Sequence, residues 1–374
     1  MIEIREVKTR KEIKQFIEFP INLYKGNKNF VPPLYSDELA LFKKNYHYYE
    51  TCESVFYNAY LDNKMVGRIQ GILQKASNEK WGQKRVRFTR FDCIDNQEVS
   101  NALFEKIESW AKEKQMEEIV GPLGFSDLER EGLLIEGFDE LSTFEEQYNY
   151  AYYQKLIENN GYVKEIDWVE RQIKAPKEVD PKLKRVSDLM MKKYNLHFST
   201  AKNIKQFLKK YANGFFEILD ETYDKIYGTV PITDKMKKSL IKSFKLIINV
   251  KHVKVILDEN ERIVCFGIMF PSLSKALVGT NGKLTPKTLI KLLKTIKKPD
   301  VLDLGLIGVL PEYQMKGVAS ALINIIMEFL QTGEYLYAET NLNLEDNISI
   351  QNQWKLFDSR LHKRRRCFIK KINN

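Results

Sequence analysis

The hydrophobic and polar positions of this chain change period several times, and the changes mark out strands and helices. Apolar and charged residues alternate over residues 2–7, which is typical of a half-buried strand. Val99, Leu103, Ile107 and Trp110 recur at helical spacing. We predict strands at residues 2–7, 54–61, 64–73, 85–91, 118–121, 253–257, 263–271, 301–310, 335–340 and 362–371, and helices at residues 10–23, 36–44, 97–114, 152–160, 180–193, 203–212, 234–249, 286–297, 318–331 and 348–357.

One strand–loop–helix unit, residues 301–331, has the clearest chemical pattern. Its apolar run ends at Leu310, and Pro311 follows, which has no N–H to donate to a strand partner. Helical spacing of apolar residues begins at Val318. A loop that enters a helix presents unpaired N–H groups and the positive end of the helix dipole, which together bind phosphate. Residues 314–319 are therefore predicted to hold a pyrophosphate.

Two common phosphate-binding loops do not fit this chain. A Walker loop needs G-x-x-x-x-G-K-[ST], and residues 279–284 have the wrong spacing. A Rossmann fingerprint needs G-x-G-x-x-G, which Gly305 and Gly308 do not supply. The string Q/R-x-x-G-x-G/A does fit residues 314–319, and with residues 309–313 it resembles the acetyl-CoA loop of the GCN5-related N-acetyltransferase (GNAT) superfamily. An ordinary strand–helix unit is the alternative.

The resemblance implies a fold class and a binding site for coenzyme A. The implied fold is α/β (α+β), with tandem GNAT-like domains whose mixed, mostly antiparallel sheets are flanked by helices. Acetyl-CoA or another acyl-CoA is the implied cofactor, and the strand before the loop is expected to splay from its neighbour and bind pantetheine through its backbone. The implied CoA-binding residues are Leu306, Ile307, Gly308, Val309, Gln314, Met315, Lys316, Gly317, Val318, Ala319, Asn347 and Trp354.

Acyl transfer to an amine requires a base for the amine and a donor for the thioester carbonyl. Glu339, at the end of a predicted strand, is our first candidate for the base and Glu345 the second; for Glu339, a structural carboxylate paired with Arg or Lys is the alternative. A backbone N–H near Val309 is the candidate donor. Asn347 matches an asparagine that GNAT proteins often carry. Trp354 stands where they often have a tyrosine, so the general acid is not identified.

Length and charge divide the chain into two halves. Its 374 residues suit two domains, and Pro176 and Pro181 lie in a charged stretch that is typical of a boundary. We predict a degenerate GNAT-like domain at residues 1–172 and a CoA-binding GNAT domain at residues 173–374, because residues 92–97 lack glycine. Residues 1–170 have a net charge of −7 and the remainder +17, which favours a polyanionic partner for the second half, such as CoA, an acyl carrier protein or RNA.

Three further segments allow two interpretations each. Residues 121–149 are rich in Asp and Glu, which could bind a cationic substrate; a solvated or interdomain face is favoured. Their glycine and aromatic pattern, continued to Tyr162, resembles two-domain bacterial GNAT-like proteins described mostly without an established substrate. Basic residues 362–371 suit nucleic acid or, as we prefer, a last strand with one solvated face. The lysine-rich helix at residues 286–297 could line a groove, but is expected to cover the sheet.

Scattered cysteines and histidines, with no signal-like or membrane-spanning apolar run, favour a cytoplasmic protein without a metal site. The predicted function is acyl-CoA-dependent N-acyl transfer, most simply N-acetyl transfer, to an amine of a small molecule or peptide. One alternative is a non-catalytic module that binds acyl-CoA or an acyl carrier protein. The other is a Fem-type aminoacyl-tRNA-dependent transferase, which the intact loop argues against. Nucleic acid is not an expected partner, and the oligomeric state is not indicated.

Overall fold

The structure, a computed structural model, describes residues 1–314 and 316–372. Its strands are β1 (Ile2–Glu6), β2 (Cys52–Leu61), β3 (Lys64–Gln74), β4 (Arg85–Cys93), β5 (Glu118–Gly121), β6 (Leu133–Glu136), β7 (Val163–Lys174), β8 (His197–Phe198), β9 (Val253–Leu257), β10 (Ile263–Pro271), β11 (Val301–Val309), β12 (Tyr337–Thr340), β13 (Asn343–Leu344) and β14 (Asp358–Lys371). Its helices are α1 (Arg10–Leu23), α2 (Tyr35–Ala40), α3 (Lys75–Trp81), α4 (Gln97–Glu113), α5 (Tyr152–Asn159), α6 (Pro181–Lys193), α7 (Ile204–Tyr223), α8 (Asp234–Ile247), α9 (Ser274–Leu277), α10 (Pro286–Lys297), α11 (Ala319–Gln331) and α12 (Ile348–Trp354).

The described strands join in one sheet. Their order is β1-β2-β3-β4-β5-β14-β7-β12-β11-β10-β9-β8, with β6 paired to β14 and β13 to β7. Two pairs, β4·β5 and β11·β12, are parallel. Each parallel pair is joined through a helix, α4 or α11, because parallel neighbours need a long crossover. The sheet is mixed and mostly antiparallel with flanking helices, so the predicted fold class is confirmed.

The two halves exchange strands at the centre of this sheet. β7 belongs to the first part of the chain, yet its Gln172 and Ile173 pair with β12. β14 ends the chain, yet its residues from Phe368 onward pair with β5. β7 and β14 also pair with each other along most of their length. Each half therefore completes the sheet of the other. The proposed boundary after residue 172 falls inside β7, and the division into domains there stays a prediction.

Buried charges hold the exchanged strands together. Lys363 and Arg365 of β14 are fully buried and donate to Glu170 of β7 at 2.9 and 2.6 Å. Burial acts to raise the pKa of Glu170, but the two cations outweigh it and hold that pKa at about 2. The predicted strand at residues 362–371 is confirmed. Its expected solvated face is present in part: the side chains of Arg364 and Arg366 are 24% and 21% exposed, whereas Phe368 on the same face is buried.

Several helices and strands differ from the sequence prediction. α7 continues to Tyr223 instead of ending near residue 212, because Phe215, Phe216 and Leu219 extend its buried face past Gly214. β7 was not predicted; its pattern of Glu, Asp and Arg resembles an exposed segment, although their charges are paired inside the sheet. β6 lies within the segment predicted to be loop. The described helices include none that is long and apolar enough to cross a membrane.

Candidate functional site

A chamber of about 1730 Å³ lies between the two halves. The first half contributes α2 and residues 127–146 to its walls, and the second half contributes α7, α8, β10, β11 and the start of α11. Apolar side chains form much of its inner wall, among them Phe244, Met269, Phe270, Leu322 and Ile326. A cavity of this size and composition can hold a large, partly apolar ligand.

Strand β11 has an open edge inside this chamber. It pairs with β12 only from Val301 to Leu304. The last hydrogen bond on this side is donated by the N–H of Asn341 to the carbonyl oxygen of Leu304, at 3.1 Å. Gly305 is an extra residue opposite the step from Ile268 to Met269, which makes a β-bulge. A Cβ at Gly305 would lie 2.0 Å from the ring of Phe270, so only glycine fits. Leu306 to Val309 therefore continue without a strand partner on the β12 side.

The hydroxyl of Tyr223, at the end of α7, occupies this open edge. It donates to the carbonyl of Ile307 at 3.1 Å, and the Ile307 N–H approaches the same hydroxyl at 3.3 Å. Since N–H groups alternate between the two edges of a strand, Val309 directs its N–H to the same side as Ile307. Burial, and then the negative charge of Asp127, raise the pKa of Tyr223, so its hydroxyl keeps its proton at neutral pH.

Loop residues 314–319 reach the chamber next to this edge. Gln314 donates to the carbonyl of Val309 at 3.0 Å, and Gln314, Gly317 and Ala319 all line the wall. Gly317 has φ of +77°, in the left-handed region that favours glycine. At the start of α11, the N–H groups of Ser320 and Ala321 donate to the carbonyls of Gly317 and Val318 at 3.0 and 3.1 Å, so these two are already used within the turn. Predicted residue Met315 lies outside the described residues.

Two other implied CoA-binding residues of this loop are turned elsewhere. Lys316 places its ammonium 5.3 Å from the ring centroid of Tyr313 and 5.4 Å from that of Tyr194. Val318 is buried under α11. Neither is among the described residues that line the chamber. The loop therefore offers backbone and small residues to the chamber rather than a lysine.

Carboxylates of the first half face the second half across the chamber. Asp127, Glu129, Glu131, Glu145 and Glu146 line its wall. Burial raises the pKa of Asp127 to about 6 and that of Glu146 to about 8. Within the described part of the chain, Oε1 of Glu131 and Oε2 of Glu146 have no hydrogen-bond partner. Oε2 of Glu146 still lies 4.0 Å from Nε of the buried Arg365. A buried carboxyl oxygen without a hydrogen bond is costly, and Oε1 of Glu131 is the oxygen that a ligand could satisfy. The sequence analysis favoured a solvated or interdomain face for this segment, and these five carboxyl groups lie on an interdomain face, between the halves.

The two predicted bases lie apart from the open edge. Glu339 is buried beside a small separate cavity, and its carboxyl lies 3.6 Å from the ammonium of Lys363. Burial raises the pKa of Glu339. Glu345 is partly exposed and accepts from Arg364 at 2.8 Å and from Lys164. Neither belongs to the described lining of the chamber. Their assignment as bases stays a prediction.

Asn347 and Trp354 both line the chamber, as the family resemblance implied. Asn347 caps α12, and its side chain accepts from the N–H of Ile350 at 3.3 Å. Trp354 donates its indole N–H to Asn343 at 2.8 Å. Both side chains are therefore committed to local structure. Sequence reasoning missed Tyr223, whose hydroxyl lies where a donor is needed; the helical spacing of Phe216, Leu219 and Tyr223 was the available signal.

The described residues suit an acyl-CoA in two respects. A thioester arm can pair with the open edge at Ile307 and Val309, and a pyrophosphate can approach the backbone at Gly317 without meeting a side chain from that residue. Within residues 1–314 and 316–372, no three His, Cys, Asp or Glu side chains are grouped as a metal site.

Two curated proteins resemble the chain along most of its length. Protein YghO of Escherichia coli is 26% identical over 384 residues, which covers 99% of this chain and 95% of that protein. Bacterial ceramide synthase of Caulobacter vibrioides is 26% identical over 330 residues, which covers 84% of this chain and 82% of that protein. No family model matches the chain.

Solved structures give the fold. A tandem GNAT protein from the clavulanic acid biosynthesis pathway superposes with a TM-score of 0.56 at 10% identity, covering 100% of this chain and 99% of that one. A GCN5-related N-acetyltransferase from Sphaerobacter thermophilus superposes with a TM-score of 0.52 at 11% identity, covering 100% and 96%. The chain has the GNAT fold in two copies, and the predicted resemblance is confirmed at this level.

Proposed function

We propose that this tandem GNAT-fold protein transfers an acyl group from acyl-CoA to the amine of a long-chain lipid precursor. The observation that carries the proposal is the meeting of two features in one chamber. The open edge of β11 can bind a thioester arm, and loop residues 314–319 beside it can bind a pyrophosphate. Acyl transfer in general agrees with the fold; the donor, the acceptor and the residue roles below are proposed.

In the proposed reaction, the acyl thioester lies along residues 306–309. It displaces the Tyr223 hydroxyl from the backbone of Ile307, and the N–H of Val309 polarises its carbonyl. The amine nitrogen attacks the carbonyl carbon, the C–N bond forms and the C–S bond breaks. CoA leaves as a thiolate that receives a hydrogen bond from Tyr223 and is protonated by solvent. Because its pKa is raised, Tyr223 retains the proton it donates in this bond.

Asp127 is the proposed base for the acceptor. With a pKa of about 6, its carboxyl is ionised at neutral pH and can take a proton from the attacking amine. Asp127 lines the same chamber as Tyr223, the residue at the open edge. Glu131, whose Oε1 has no hydrogen-bond partner among the described residues, is proposed to bind a further polar group of the acceptor.

Two observations support a long-chain acceptor. The apolar wall formed by Phe244, Met269, Phe270 and Ile326 suits hydrocarbon. The relative named bacterial ceramide synthase is matched over 84% of this chain, and a ceramide is the amide of a long-chain amino alcohol. A peptide or a small hydrophilic amine would leave this apolar wall in contact with water.

The test is an amide-formation assay on the full chain. Acetyl-CoA and palmitoyl-CoA are each offered with a long-chain amino alcohol, a short amino alcohol of the same head group and a lysine peptide. Mass spectrometry of the amide and release of free thiol should both report transfer to the long-chain amine. Binding of acyl-CoA with no amide from any acceptor would instead support a binding module. Transfer from aminoacyl-tRNA would support the Fem-type alternative.

A further inference from the structure

The outer faces of α8 and α10 carry solvent-exposed leucines and lysines, and the described residues include no ion-pair partner for these lysines. Over residues 272–299 the sequence has seven lysines and no acidic residue. We call the following set the lysine–leucine surface: exposed Leu246, Leu284, Leu289, Ile290 and Leu293, with exposed Lys242, Lys245, Lys283, Lys287, Lys291, Lys294 and Lys297. Among the described residues, no carboxylate lies within ion-pair distance of the four lysines on α10.

Helix α10 has three distinct arcs. Successive residues of a helix turn by about 100°, which places Thr288, Leu292 and Ile296 on one side, where they pack on the protein. Leu289 and Leu293 occupy the adjoining arc and are 44% and 63% exposed. The lysines follow on the third arc. The helix was expected to cover the sheet. Its inner arc packs instead with Leu273, Ala276 and Leu277 at α9, and its middle arc has no partner among the described residues.

The lysine–leucine surface borders the mouth of the chamber. Ile247, at the end of α8, packs in the same apolar cluster as Leu292 of α10, so both helices border that cluster. Leu246 is 72% exposed and also lines the chamber. The loop before α10 contacts the first half, where the N–H of Tyr35 donates to Gly282 at 2.8 Å. The residue after Tyr35 lines the chamber as well.

We propose that the lysine–leucine surface binds an anionic lipid bilayer. A helix with an exposed apolar arc flanked by lysines lies in the bilayer interface, where its leucines enter the acyl region and its lysines meet anionic head groups. At twelve residues α10 is too short to span a bilayer. An anionic bilayer offers acyl chains to the exposed apolar side chains and negative head groups to the flanking lysines along the whole surface, so it is the occupant that we propose.

This binding does not depend on the proposed reaction. If both hold, the chamber mouth faces the membrane, and a long-chain amine can enter without crossing water. The lipid-binding measurement and the amide assay with soluble acceptors can therefore fail separately, and each failure identifies the proposal concerned.

The test is flotation of the full chain with vesicles of phosphatidylcholine alone or mixed with phosphatidylglycerol. We expect binding to the anionic vesicles, weakened by salt, and none to the neutral ones. The double variant Leu289→Asp, Leu293→Asp should bind about tenfold more weakly or not at all. A matched control, Leu336→Asp with Leu356→Asp, changes leucines that are 61% and 47% exposed outside the surface and should bind like the parent protein.

A second variant guards against loss of folding. Lys287, Lys291, Lys294 and Lys297 are replaced together by Gln, which keeps the leucines and is compared with the parent protein by thermal unfolding. It too should lose vesicle binding. The proposal is overturned if the parent protein ignores anionic vesicles, or if both variants bind them equally well. It is also overturned if a purified acyl carrier protein binds in place of vesicles, or if light scattering shows that this surface joins two copies of the chain.

Discussion

At the level of single residues, the hydroxyl of Tyr223 is the group whose removal is most informative. Tyr223→Phe deletes the donor that touches Ile307 and keeps the ring that packs in the chamber. We expect acyl-CoA affinity to change little and the rate of amide formation to fall by about 10²-fold. Calorimetry and the amide assay measure the two quantities on the same preparation.

A matched control for Tyr223→Phe is Tyr227→Phe, four residues further along, in the turn that follows α7. Tyr227 also lines the chamber, but its hydroxyl lies 3.7 Å from the sulfur of Cys367 and not at the open edge. It should retain activity. Equal losses in the two variants would show that the chamber tolerates no loss of hydroxyl, and Tyr223 would have no special role.

Asp127 gives the proposed reaction a pH dependence. Its carboxyl must be ionised to accept a proton, and its pKa is about 6, so kcat/KM should rise as pH increases through about 6 and then level. Asp127→Asn should lower the rate by about 10²-fold or more and abolish this rise. The pH profile of amide formation is the measurement.

Glu339→Gln distinguishes Asp127 from the base that the sequence suggested. If Glu339 is a structural partner of Lys363, the substitution should lower thermal stability and leave the pH profile in place. If Glu339 is the base, that variant should lose about 10²–10⁴-fold in rate while Asp127→Asn remains active. The two variants therefore give opposite results under the two assignments.

At the level of elements, a single substitution in the loop between β11 and α11 should weaken the binding of CoA. Gly317→Asp strains the backbone at φ +77° and adds a carboxylate to the proposed pyrophosphate loop, with its Cβ 3.3 Å from Met190 and 3.6 Å from Val186 of α6. We expect CoA affinity to fall at least about tenfold. Gly333→Asp is the matched control at the other end of α11, because Gly333 has φ of +71° and its added Cβ would meet nothing within 4 Å. Unchanged CoA affinity in Gly317→Asp would exclude this loop as the site.

The elements around this loop were largely predictable, because each depends on local pattern. Pro311, Gly317 and the apolar spacing of α11 lie close together in the sequence, so the local pattern alone indicates the end of the strand, the loop and the helix. β7 could not be predicted, because its charged residues resemble those of a solvent-exposed segment. The partners that allow Glu170 to be buried, Lys363 and Arg365, are nearly two hundred residues away in the sequence. Tyr223 was missed for a related reason: its role depends on the distant backbone of Ile307.

At the level of the whole molecule, the exchange of β7 and β14 predicts what happens when the chain is cut. A fragment of residues 1–175 lacks β14, so β5 and β7 lose their neighbour and Glu170 loses both cations. We expect this fragment to show no cooperative thermal unfolding by circular dichroism and to bind no CoA. Cooperative unfolding of the fragment, or CoA affinity equal to that of the full chain, would contradict this.

The control is a full-length chain cleaved in place at an engineered protease site. Lys177 and Glu178 are exposed between β7 and α6, so a site there is accessible. Because the strands interleave, the two pieces should stay together on gel filtration and unfold together. Separation of the pieces would mean that the exchanged strands contribute little to the association of the halves.

The exchanged strands also bear on how this protein is made. A ribosome releases β5 long before β14, which ends only at Lys371, so the first half emerges with the site for its last strand empty. Domains that can fold during synthesis normally do so in order from the N-terminus. Here both halves depend on the same late segment, and the nascent chain exposes open strand edges until β14 has left the ribosome. Such a chain is a natural client for chaperones, because an exposed strand edge can pair with another chain.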